Sequence, residues 1–398
     1  MQLDASLSTF DEWIAPFYKL RPQPGRGEER FENFKKLCEV LGPKGLQLPA
    51  IHITGSNGKG SVAFMVSEAL HRGSCRVGRF CSPHLLHFSE RIVVDRTPIS
   101  EERVRELGEA ILHRAQSLGF SIGFFEWAFL IALEHFVLEN VDLMVVEAGI
   151  GAKLDTTNVL QNTVASAIVS ISLDHTDILG PTIEHITRDK LGILRDKRPI
   201  VFGPSVPALA DFEARRRGAL VYRTESKDNF YEENKAVAKC LLEVVSPQFQ
   251  VSPEAINEGI NTKLIGRWHI VAPHFVFDVA HNIGGVASSL HALSKSEWKE
   301  APLFLGFRKD KAIEDCLTEA KQYSEEIYFV LFDHPLCPSK EEVQRAFEKA
   351  NVPLRGLFSS AKEALKAAVL LEKKCAFLGS FFFIGAALTF LNQSGHRG

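Results

Sequence analysis

Short apolar runs alternate with amphipathic segments along almost the whole chain. A β-branched run at residues 51–54 is followed by a segment that places Val62, Met65 and Leu70 on one helical face. Residues 141–147 are apolar on both faces, as expected for a strand of a parallel sheet covered by helices. The predicted strands are residues 51–54, 76–80, 141–147, 164–173, 275–279, 302–306, 327–332 and 375–378. The predicted helices are residues 29–41, 101–118, 125–139, 182–194, 211–217, 235–244, 284–293, 312–323 and 340–349.

This alternation of strands and helices restarts near residues 264–268. With 398 residues, the chain exceeds what one hydrophobic core usually organises, so two domains are expected. We predict an α/β N-terminal domain at residues 1–266 and a smaller Rossmann-like α/β domain at residues 267–398. Open parallel sheets bind ligands beyond the carboxyl ends of their strands. The residues that follow the predicted strands are therefore the first candidates for chemistry.

Composition and charge narrow the classes of protein to consider. Hydrophobic residues make up 45% of the chain and charged residues 24%, values typical of a globular protein. A formal net charge of -3 argues against a nucleic-acid partner, which normally requires a basic face. The seven cysteines are scattered and never show C-x-x-C spacing, which predicts reduced thiols rather than disulfides or a zinc site.

The N-terminus and the uncharged runs favour a cytoplasmic protein with no membrane partner. Asp4, Asp11 and Glu12 lie where a signal peptide would need a basic start and an apolar core. The longest uncharged run, residues 375–391, contains Gly385 and is shorter than the roughly 20 residues that a bilayer requires. We interpret this run as a buried strand that is followed by a helix.

A glycine-rich turn joins the first predicted strand to the next helix, and its sequence at residues 55–61 is Gly-Ser-Asn-Gly-Lys-Gly-Ser. The glycines let the backbone approach a phosphate, and the following helix presents its positive N-terminal end. Lys59 would neutralise phosphate charge, and Ser61 could ligate Mg²⁺. An ordinary glycine-rich βα turn is the alternative. The order of lysine and serine after the glycines favours nucleotide binding.

Three further polar residues, Ser82, Glu147 and His175, follow predicted strands. A carboxylate at the end of a buried strand is costly without a partner, so Glu147 is a candidate metal ligand. His175 is a candidate ligand or orienting group, although a lone histidine is more often structural. A turn serine before a proline is an equally supported interpretation of Ser82. Lys190, in the predicted helix at 182–194, would be a solvated surface lysine on composition alone.

Seven separated motifs together resemble one protein family. In chain order they are I-T-G-S-N-G-K-G-S, C-S-P-H-L, V-V-E-A-G-I-G-A-K-L-D-T-T-N, L-D-H-T-D-I-L-G, R-D-K-L-G-I-L, G-R-W and F-D-V-A-H-N. They resemble the motifs of the dihydrofolate synthase/folylpolyglutamate synthase family, which belongs to the Mur-type ATP-dependent amide ligases. The motifs occur in the family's order and span nearly the whole chain. The resemblance implies a P-loop-containing, Mur-ligase-type N-terminal domain and a Rossmann-like C-terminal domain.

The reaction that this resemblance implies joins L-glutamate to dihydropteroate, with extension to reduced folates left open. ATP would phosphorylate the substrate carboxylate, and the amine of glutamate would then displace phosphate from the acyl phosphate. Such phosphoryl transfer depends on charge neutralisation and positioning. We expect a cytoplasmic monomer with small-molecule partners. The alternatives are another Mur-type amide ligase, or an ATP-binding sensor or scaffold that has lost ligase activity.

The resemblance also implies which residues bind ATP and metal. The residues matching the ATP site are Asn57, Gly58, Lys59, Gly60, Ser61, Asn234, Arg267 and Asp278. Ser61, Ser82 and Glu147 would surround one Mg²⁺, and Glu147 and His175 would serve a second.

Two more residues receive roles from the resemblance. Lys190 matches a lysine that CO₂ carbamylates, which would give a long carboxylate able to help hold the second metal. His281 would lie against the phosphates or the acyl phosphate. The catalytic set implied by the family is therefore Lys59, Glu147, His175, Lys190 and His281.

The pterin-bearing substrate is expected near two short stretches. These contain Phe124, Phe125, Glu126, Leu154, Asp155 and Thr156. Aromatic faces can stack on a pterin, and a carboxylate can accept hydrogen bonds from its amino group. Core packing is the alternative for the two phenylalanines, because this chain has 29 of them.

The chain departs from the family pattern in three motifs, and the first of them, G-G-R-L-D, is Gly-Ala-Lys-Leu-Asp at residues 151–155. Lys153 replaces an arginine, and an ammonium group lacks the planar fork that a bidentate contact requires. Ile283 replaces the proline of H-N-P, and Phe382 replaces a histidine or tyrosine near the end of the chain. The second domain is therefore the less typical half.

Overall fold

The computed structural model describes residues 9–23, 27–73, 75–271 and 274–393, and it contains two β-sheets. The strands of the first sheet are β1 (Ala50–Thr54), β2 (Val77–Phe80), β3 (Ile92–Val94), β4 (Thr97–Pro98), β5 (Leu143–Glu147), β6 (Thr163–Ile168), β7 (Pro199–Phe202) and β8 (Leu220–Arg223). Their spatial order is β4-β3-β2-β5-β1-β6-β7-β8. From β2 to β8 the neighbours are parallel, and β3 and β4 extend one edge as antiparallel strands.

Ten helices accompany this first sheet in the described residues. They are α1 (Phe10–Ile14), α2 (Glu28–Leu41), α3 (Lys59–Arg72), α4 (Glu101–Ser117), α5 (Phe124–Leu138), α6 (Thr176–Leu179), α7 (Ile183–Lys190), α8 (Leu209–Arg216), α9 (Phe230–Phe249) and α10 (Pro253–Ile260). Short 3₁₀ helices occur at Phe17–Lys19, Lys44–Gln47, Phe88–Arg91, Thr156–Val159 and Leu191–Ile193.

The second sheet has six strands. They are β9 (His269–Val271), β10 (Phe275–Asp278), β11 (Leu303–Gly306), β12 (Ile327–Val330), β13 (Leu354–Phe358) and β14 (Cys375–Gly379). The order is β13-β12-β11-β14-β10-β9, parallel except for β9. Its helices are α11 (Ile283–Ser294), α12 (Ile313–Tyr323), α13 (Lys340–Lys349), α14 (Ala361–Leu370) and α15 (Phe381–Gln393).

The central strands of the first sheet are buried on both faces. In β5, Met144 and Val146 pack in a cluster with α2, α4 and α5, whereas Leu143 and Val145 pack in a second cluster with α3, α9 and α10. Alternate side chains of a strand point to opposite faces, so an apolar run is required here. This arrangement confirms the predicted α/β class with two mainly parallel sheets.

The sequence-based assignments differ from the structure at several elements. The strand predicted at 164–173 ends at Ile168, because the next residues leave the sheet and bond to the glycine-rich turn, where Ser56 N–H donates to the Ser170 carbonyl. The strands β3, β4, β7, β8, β9 and β13 and the helices α6, α10 and α14 were not predicted. The strands β3 and β4 have three and two residues, too few to show alternation.

The uncharged run at 375–391 forms β14 and most of α15, as predicted. Across the described ranges, no helix is long and apolar enough to cross a membrane. Asp4, one of the residues behind the signal-peptide interpretation, lies outside the described residues. All seven cysteines are described, and none forms a disulfide.

Candidate active site

The candidate site begins at the carboxyl ends of four neighbouring strands. In the register of the sheet, Ile53 of β1 lies opposite Glu147 of β5, and Thr54 lies opposite Ile168 of β6. The end of β2 adjoins the end of β5, with Phe80 opposite Val146. The carboxyl ends of these four strands therefore lie side by side. The glycine-rich turn, Ser82, Glu147 and His175 are all found on this side of the sheet.

The glycine-rich turn leads directly into α3, which begins at Lys59. Gly58 caps this helix with φ +83°, and a Cβ at this position would lie 2.2 Å from Oδ1 of Asn234. Both the left-handed backbone and the close approach of α9 require glycine here. The turn therefore brings backbone N–H groups and the positive end of α3 to the sheet edge.

Two lysine side chains converge on one backbone carbonyl of this turn. Nζ of Lys59 donates to the Gly55 carbonyl at 2.9 Å, and Nζ of Lys190 donates to the same oxygen at 3.0 Å. Lys190 is only 3% exposed, so it is not the solvated surface lysine that composition favoured. Burial, and then repulsion by Lys59, lowers the pKa of Lys190 to about 7. A substantial fraction of this amine is therefore uncharged near neutral pH.

Glu147 lies against the first turn of α3. Its carboxylate is 4% exposed and accepts a hydrogen bond from the Ser82 N–H at 3.1 Å. A Cβ on Gly60 would lie 3.4 Å from Oε2 of Glu147, at van der Waals contact, which shows how closely the carboxylate approaches this turn. Burial raises the pKa of Glu147, against the opposing effect of Lys59. Ser61, in the same turn of α3, is also buried.

His175 follows β6 and lies beside the lysine pair. It has a left-handed backbone with φ 50°, and its Nε2 is 3.9 Å from Oδ2 of Asp174. Burial lowers the pKa of His175, and Lys311, Lys59 and Lys190 lower it further against the pull of Asp174. Its imidazole is therefore neutral at physiological pH, the form that binds metal. Within the described residues, no three His, Cys, Asp or Glu side chains form a ready metal cluster.

The second sheet contributes Asp278 at the end of β10. This buried carboxylate accepts hydrogen bonds from Trp268 N–H at 2.9 Å, from the Tyr231 hydroxyl and from Ser289 Oγ at 3.3 Å. Tyr231 belongs to α9 and was not singled out in the sequence. Asp278 therefore links α9 to the start of the second sheet.

Arg267, His281 and Asn234 lie around this link. The Arg267 guanidinium is 5.3 Å from the ring centroid of Phe381. His281 bonds through Nδ1 to the Val279 carbonyl at 2.9 Å, and burial lowers its pKa to about 4. Nδ2 of Asn234 is buried and has no hydrogen-bond partner among the described residues. A buried amide donor in this state fits a site that receives a polar ligand.

The loops that follow the strands of the two sheets contact each other at Asp174, which the sequence analysis did not select. Its carboxylate pairs with Lys311 at 3.2 Å and accepts a hydrogen bond from Nδ2 of Asn282 at 2.8 Å. Burial alone would raise the pKa of Asp174, but Lys311 and the nearby histidines hold it at about 2. The lysine is 137 residues away along the chain, so no local motif could reveal this pair.

The two predicted acceptor stretches lie beside the first sheet. Phe124 and Phe125 begin α5 and are partly buried, and the Phe124 ring centroid is 4.7 Å from that of Tyr18. Glu126 accepts from Gly123 N–H at 2.7 Å and from Arg30 Nε at 3.2 Å. Its carboxylate therefore already has protein partners.

The second stretch is held by a buried hydrogen-bond network. The carboxylate of Asp155 accepts from the N–H groups of Gly149, Ile150 and Thr157, at 3.0, 3.0 and 2.9 Å. Asp155 and Thr156 are buried, whereas Leu154 is partly exposed. Asp155 thus shapes the loop after β5.

Comparisons with known proteins were consistent with these motifs, although no family model matches the chain. The chain is 30% identical over 321 residues to the dihydrofolate synthase/folylpolyglutamate synthase of Escherichia coli K12, covering 73% of this chain and 75% of that protein. It is 27% identical over 386 residues to the protein of the same name from Bacillus subtilis 168, covering 85% and 88%.

Solved structures match over nearly the full length. E. coli FolC in complex with DHPP and ADP superposes with a TM-score of 0.84 at 26% identity, covering 98% of this chain and 99% of that one. A bifunctional folylpolyglutamate synthase/dihydrofolate synthase with Mn, AMPPNP and L-glutamate bound gives 0.85 at 26% identity, covering 98% and 100%.

The geometry of the turn gives a direct prediction. Gly58→Ala should weaken binding of the ATP analogue AMPPNP by at least about tenfold, because the left-handed backbone costs roughly 1–2 kcal/mol and the new Cβ displaces Asn234. Isothermal titration calorimetry measures this change.

The matched control is Gly218→Ala. Gly218 has φ +74° and an open environment, so the variant carries the backbone strain without a contact near the turn. Equal AMPPNP affinity in Gly58→Ala and Gly218→Ala would contradict the assignment of this turn as the nucleotide site.

Proposed function

The chain belongs to the dihydrofolate synthase/folylpolyglutamate synthase family, and on this premise we propose how its residues carry out the reaction. It is an ATP-dependent ligase with dihydrofolate synthase/folylpolyglutamate synthase activity, joining L-glutamate to a pteroyl acceptor. The observation that carries the residue assignments is the convergence of Lys59 and Lys190 on the Gly55 carbonyl, beside the buried carboxylate of Glu147.

The glycine-rich turn would hold the triphosphate of ATP. Asn57, Gly58 and Gly60 would supply close backbone contacts, and Lys59 would exchange its carbonyl partner for phosphate oxygens. A positive side chain at this point stabilises the charge that develops on the transferred phosphoryl group. The acceptor carboxylate would attack the γ-phosphorus, ADP would leave, and the amine of glutamate would then displace phosphate from the acyl phosphate.

The buried oxygen atoms fit a divalent cation. Glu147 is a desolvated carboxylate with no salt-bridge partner among the described residues, and hard oxygen ligands are what Mg²⁺ prefers. Ser61, Ser82 and Glu147 would hold one Mg²⁺, which would neutralise triphosphate charge. Glu147 and His175 would serve a second ion.

Lys190 would complete the second metal position after reaction with CO₂. The neutral amine attacks the carbon of CO₂, an N–C bond forms, and one proton is released to solvent, which leaves a carbamate anion. The lowered pKa of Lys190 and its position beside Lys59 support this step, because the product replaces a repelled cation by an anion. Asp155 and Asp174 act on the same amine from further away.

The second sheet would complete the ATP site. We place the domain boundary at residues 266 and 267, between α10, which ends at Ile260, and β9, which begins at His269. Asn234 would offer its unpartnered Nδ2 to the adenine, and Arg267 and Asp278 would contact the nucleotide. His281 would lie against the phosphates or the acyl phosphate. Closure of the two domains would then assemble the complete site.

The acceptor would bind beside α5. Phe124 and Phe125 would stack on the pterin, and Glu126, Leu154, Asp155 and Thr156 would line the same region. Because the carboxylates of Glu126 and Asp155 have internal partners, we assign them mainly to shaping the pocket. We further propose a cytoplasmic monomer that acts on small molecules, with no nucleic-acid or membrane partner, in line with its formal net charge of -3.

The activity is tested by mass analysis of the products. Incubation with ATP, Mg²⁺, L-glutamate and dihydropteroate should give dihydrofolate, and tetrahydrofolate as acceptor should give species heavier by one or more glutamyl units. Lys59→Ala should form neither product, because the phosphate site loses its charge. ATP binding without any glutamylated product from either acceptor would instead favour a sensor or scaffold.

Lys190→Ala should lower turnover by about 10²-fold or more, because the second metal loses a ligand. Added acetate or formate should restore part of the activity by occupying the vacated position. Lys239→Ala is the control, since Lys239 is exposed on α9. Full activity of Lys190→Ala without added carboxylate would refute the metal-holding role.

The same assignment predicts a pH dependence. Because the pKa of Lys190 is lowered to about 7, its amine is mostly protonated below that pH and mostly in the neutral form, which reacts with CO₂, above it. Bicarbonate should therefore stimulate the wild-type enzyme more at about pH 8 than at about pH 6. Lys190→Ala should show no such stimulation.

A further inference from the structure

Arg91 is a buried cation, and none of the roles assigned above involves it. It ends the 3₁₀ helix Phe88–Arg91 and is 7% exposed. Within residues 9–23, 27–73, 75–271 and 274–393, no carboxylate lies at salt-bridge distance from its guanidinium. A buried charge without a counter-ion destabilises the protein that contains it.

The guanidinium is nevertheless held in one orientation. Its Nε donates to Nδ1 of His84 at 2.8 Å, and its Cζ is 5.2 Å from the ring centroid of Phe124 and 6.0 Å from that of Phe88. Burial lowers the pKa of His84 to about 3, so its imidazole is neutral and accepts this hydrogen bond. These contacts fix Nε and the flat faces, while the Nη groups make no hydrogen bond to the described residues.

The carboxylates closest to Arg91 are committed to other partners. Glu90 accepts from the N–H groups of Leu85, Leu86 and His87, at 2.7, 2.8 and 2.9 Å. Glu147 accepts from Ser82 N–H and lies at the phosphate end of the site. Both anions influence Arg91 only through space.

The surroundings of Arg91 indicate which kind of anion would serve as the counter-ion of its guanidinium. The guanidinium lies 5.2 Å from the ring centroid of Phe124, which we assigned to the pterin, and it is close enough to Glu147, which we assigned to the metal, to feel its charge. A pteroyl acceptor combines an aromatic end, which fits Phe124, with a carboxylate, which fits an unpaired guanidinium. An arginine fork also matches carboxylate geometry better than it matches a neutral group.

We infer that Arg91, oriented by His84, binds the carboxylate of the pteroyl acceptor and presents it to the γ-phosphate of ATP. This inference rests on the proposed function and adds a binding residue to it. It also explains why the protein keeps an unpaired buried cation, since the substrate supplies the counter-ion.

The test compares two ligands in the full-length protein. Pteroate carries the carboxylate, whereas 6-hydroxymethylpterin has the same pterin ring but lacks the 4-aminobenzoate part that bears the carboxylate. In Arg91→Met, pteroate affinity measured by calorimetry should fall by about 10- to 100-fold, because a charge-assisted bidentate contact is lost. The affinities for 6-hydroxymethylpterin and for AMPPNP should stay within about twofold of wild type, and Arg91→Lys should bind pteroate with intermediate affinity.

Stability provides a second readout that a purely structural arginine would not give. Arg91→Met should raise or preserve the melting temperature of the ligand-free protein, since it removes an uncompensated charge. The matched control is Arg223→Met, because Arg223 lies 5.6 Å from the Phe202 ring and is paired with Asp211. That variant should lose stability without a change in pteroate affinity.

Several outcomes would overturn the inference. Arg91→Met could lose affinity equally for pteroate and 6-hydroxymethylpterin, or lose affinity for neither. Alternatively, Arg91→Met and Arg91→Lys could both have a lower melting temperature while pteroate affinity is not selectively reduced. A wild-type protein that binds AMPPNP but not pteroate would instead contradict the proposed function itself, and the two failures are thereby distinguished.

Discussion

The site depends on the placement of two amines at one carbonyl oxygen. Lys59 comes from the glycine-rich turn and Lys190 from α7, and both donate to the Gly55 carbonyl. Two ammonium groups this close repel each other, and burial of Lys190 adds a cost of desolvation. The repulsion between the two amines decreases when an anion binds between them or when one amine becomes uncharged. A bound phosphate group would do the first, and carbamylation of Lys190 would do the second.

The same reasoning applies to the buried anions. Glu147 is desolvated at the end of β5, and Asp174 is desolvated in the loop between β6 and α6. Asp174 is compensated by Lys311, which follows β11 of the second sheet, whereas Glu147 has the Ser82 N–H, the Cys81 thiol and more distant cations. The fold therefore uses one carboxylate to join its two halves and leaves the other available for metal.

The sequence predicted the structural features that are determined by short stretches of the chain. The glycine-rich turn, the buried strands and the Glu147 terminus follow from local pattern, because strand burial and turn chemistry are local properties. The roles of Lys190, Asn234 and Asp278 required the family resemblance, since their partners lie on other elements. The contacts of Asp174 with Lys311 and of Tyr231 with Asp278 were missed, because distant segments bring those side chains together. Arg91 was missed for a related reason, as its lack of a partner is visible only in three dimensions.

The most direct test of this account is a ¹³C NMR pH titration of the protein in labelled bicarbonate. The wild type should show a carbamate resonance that grows as pH rises through about 7 and is lost in Lys190→Ala. Lys59→Met should move the midpoint to higher pH, because the nearby repelling charge is gone. Absence of a carbamate resonance in the wild type, or a midpoint that Lys59→Met leaves unchanged, would contradict the proposed coupling of the two lysines.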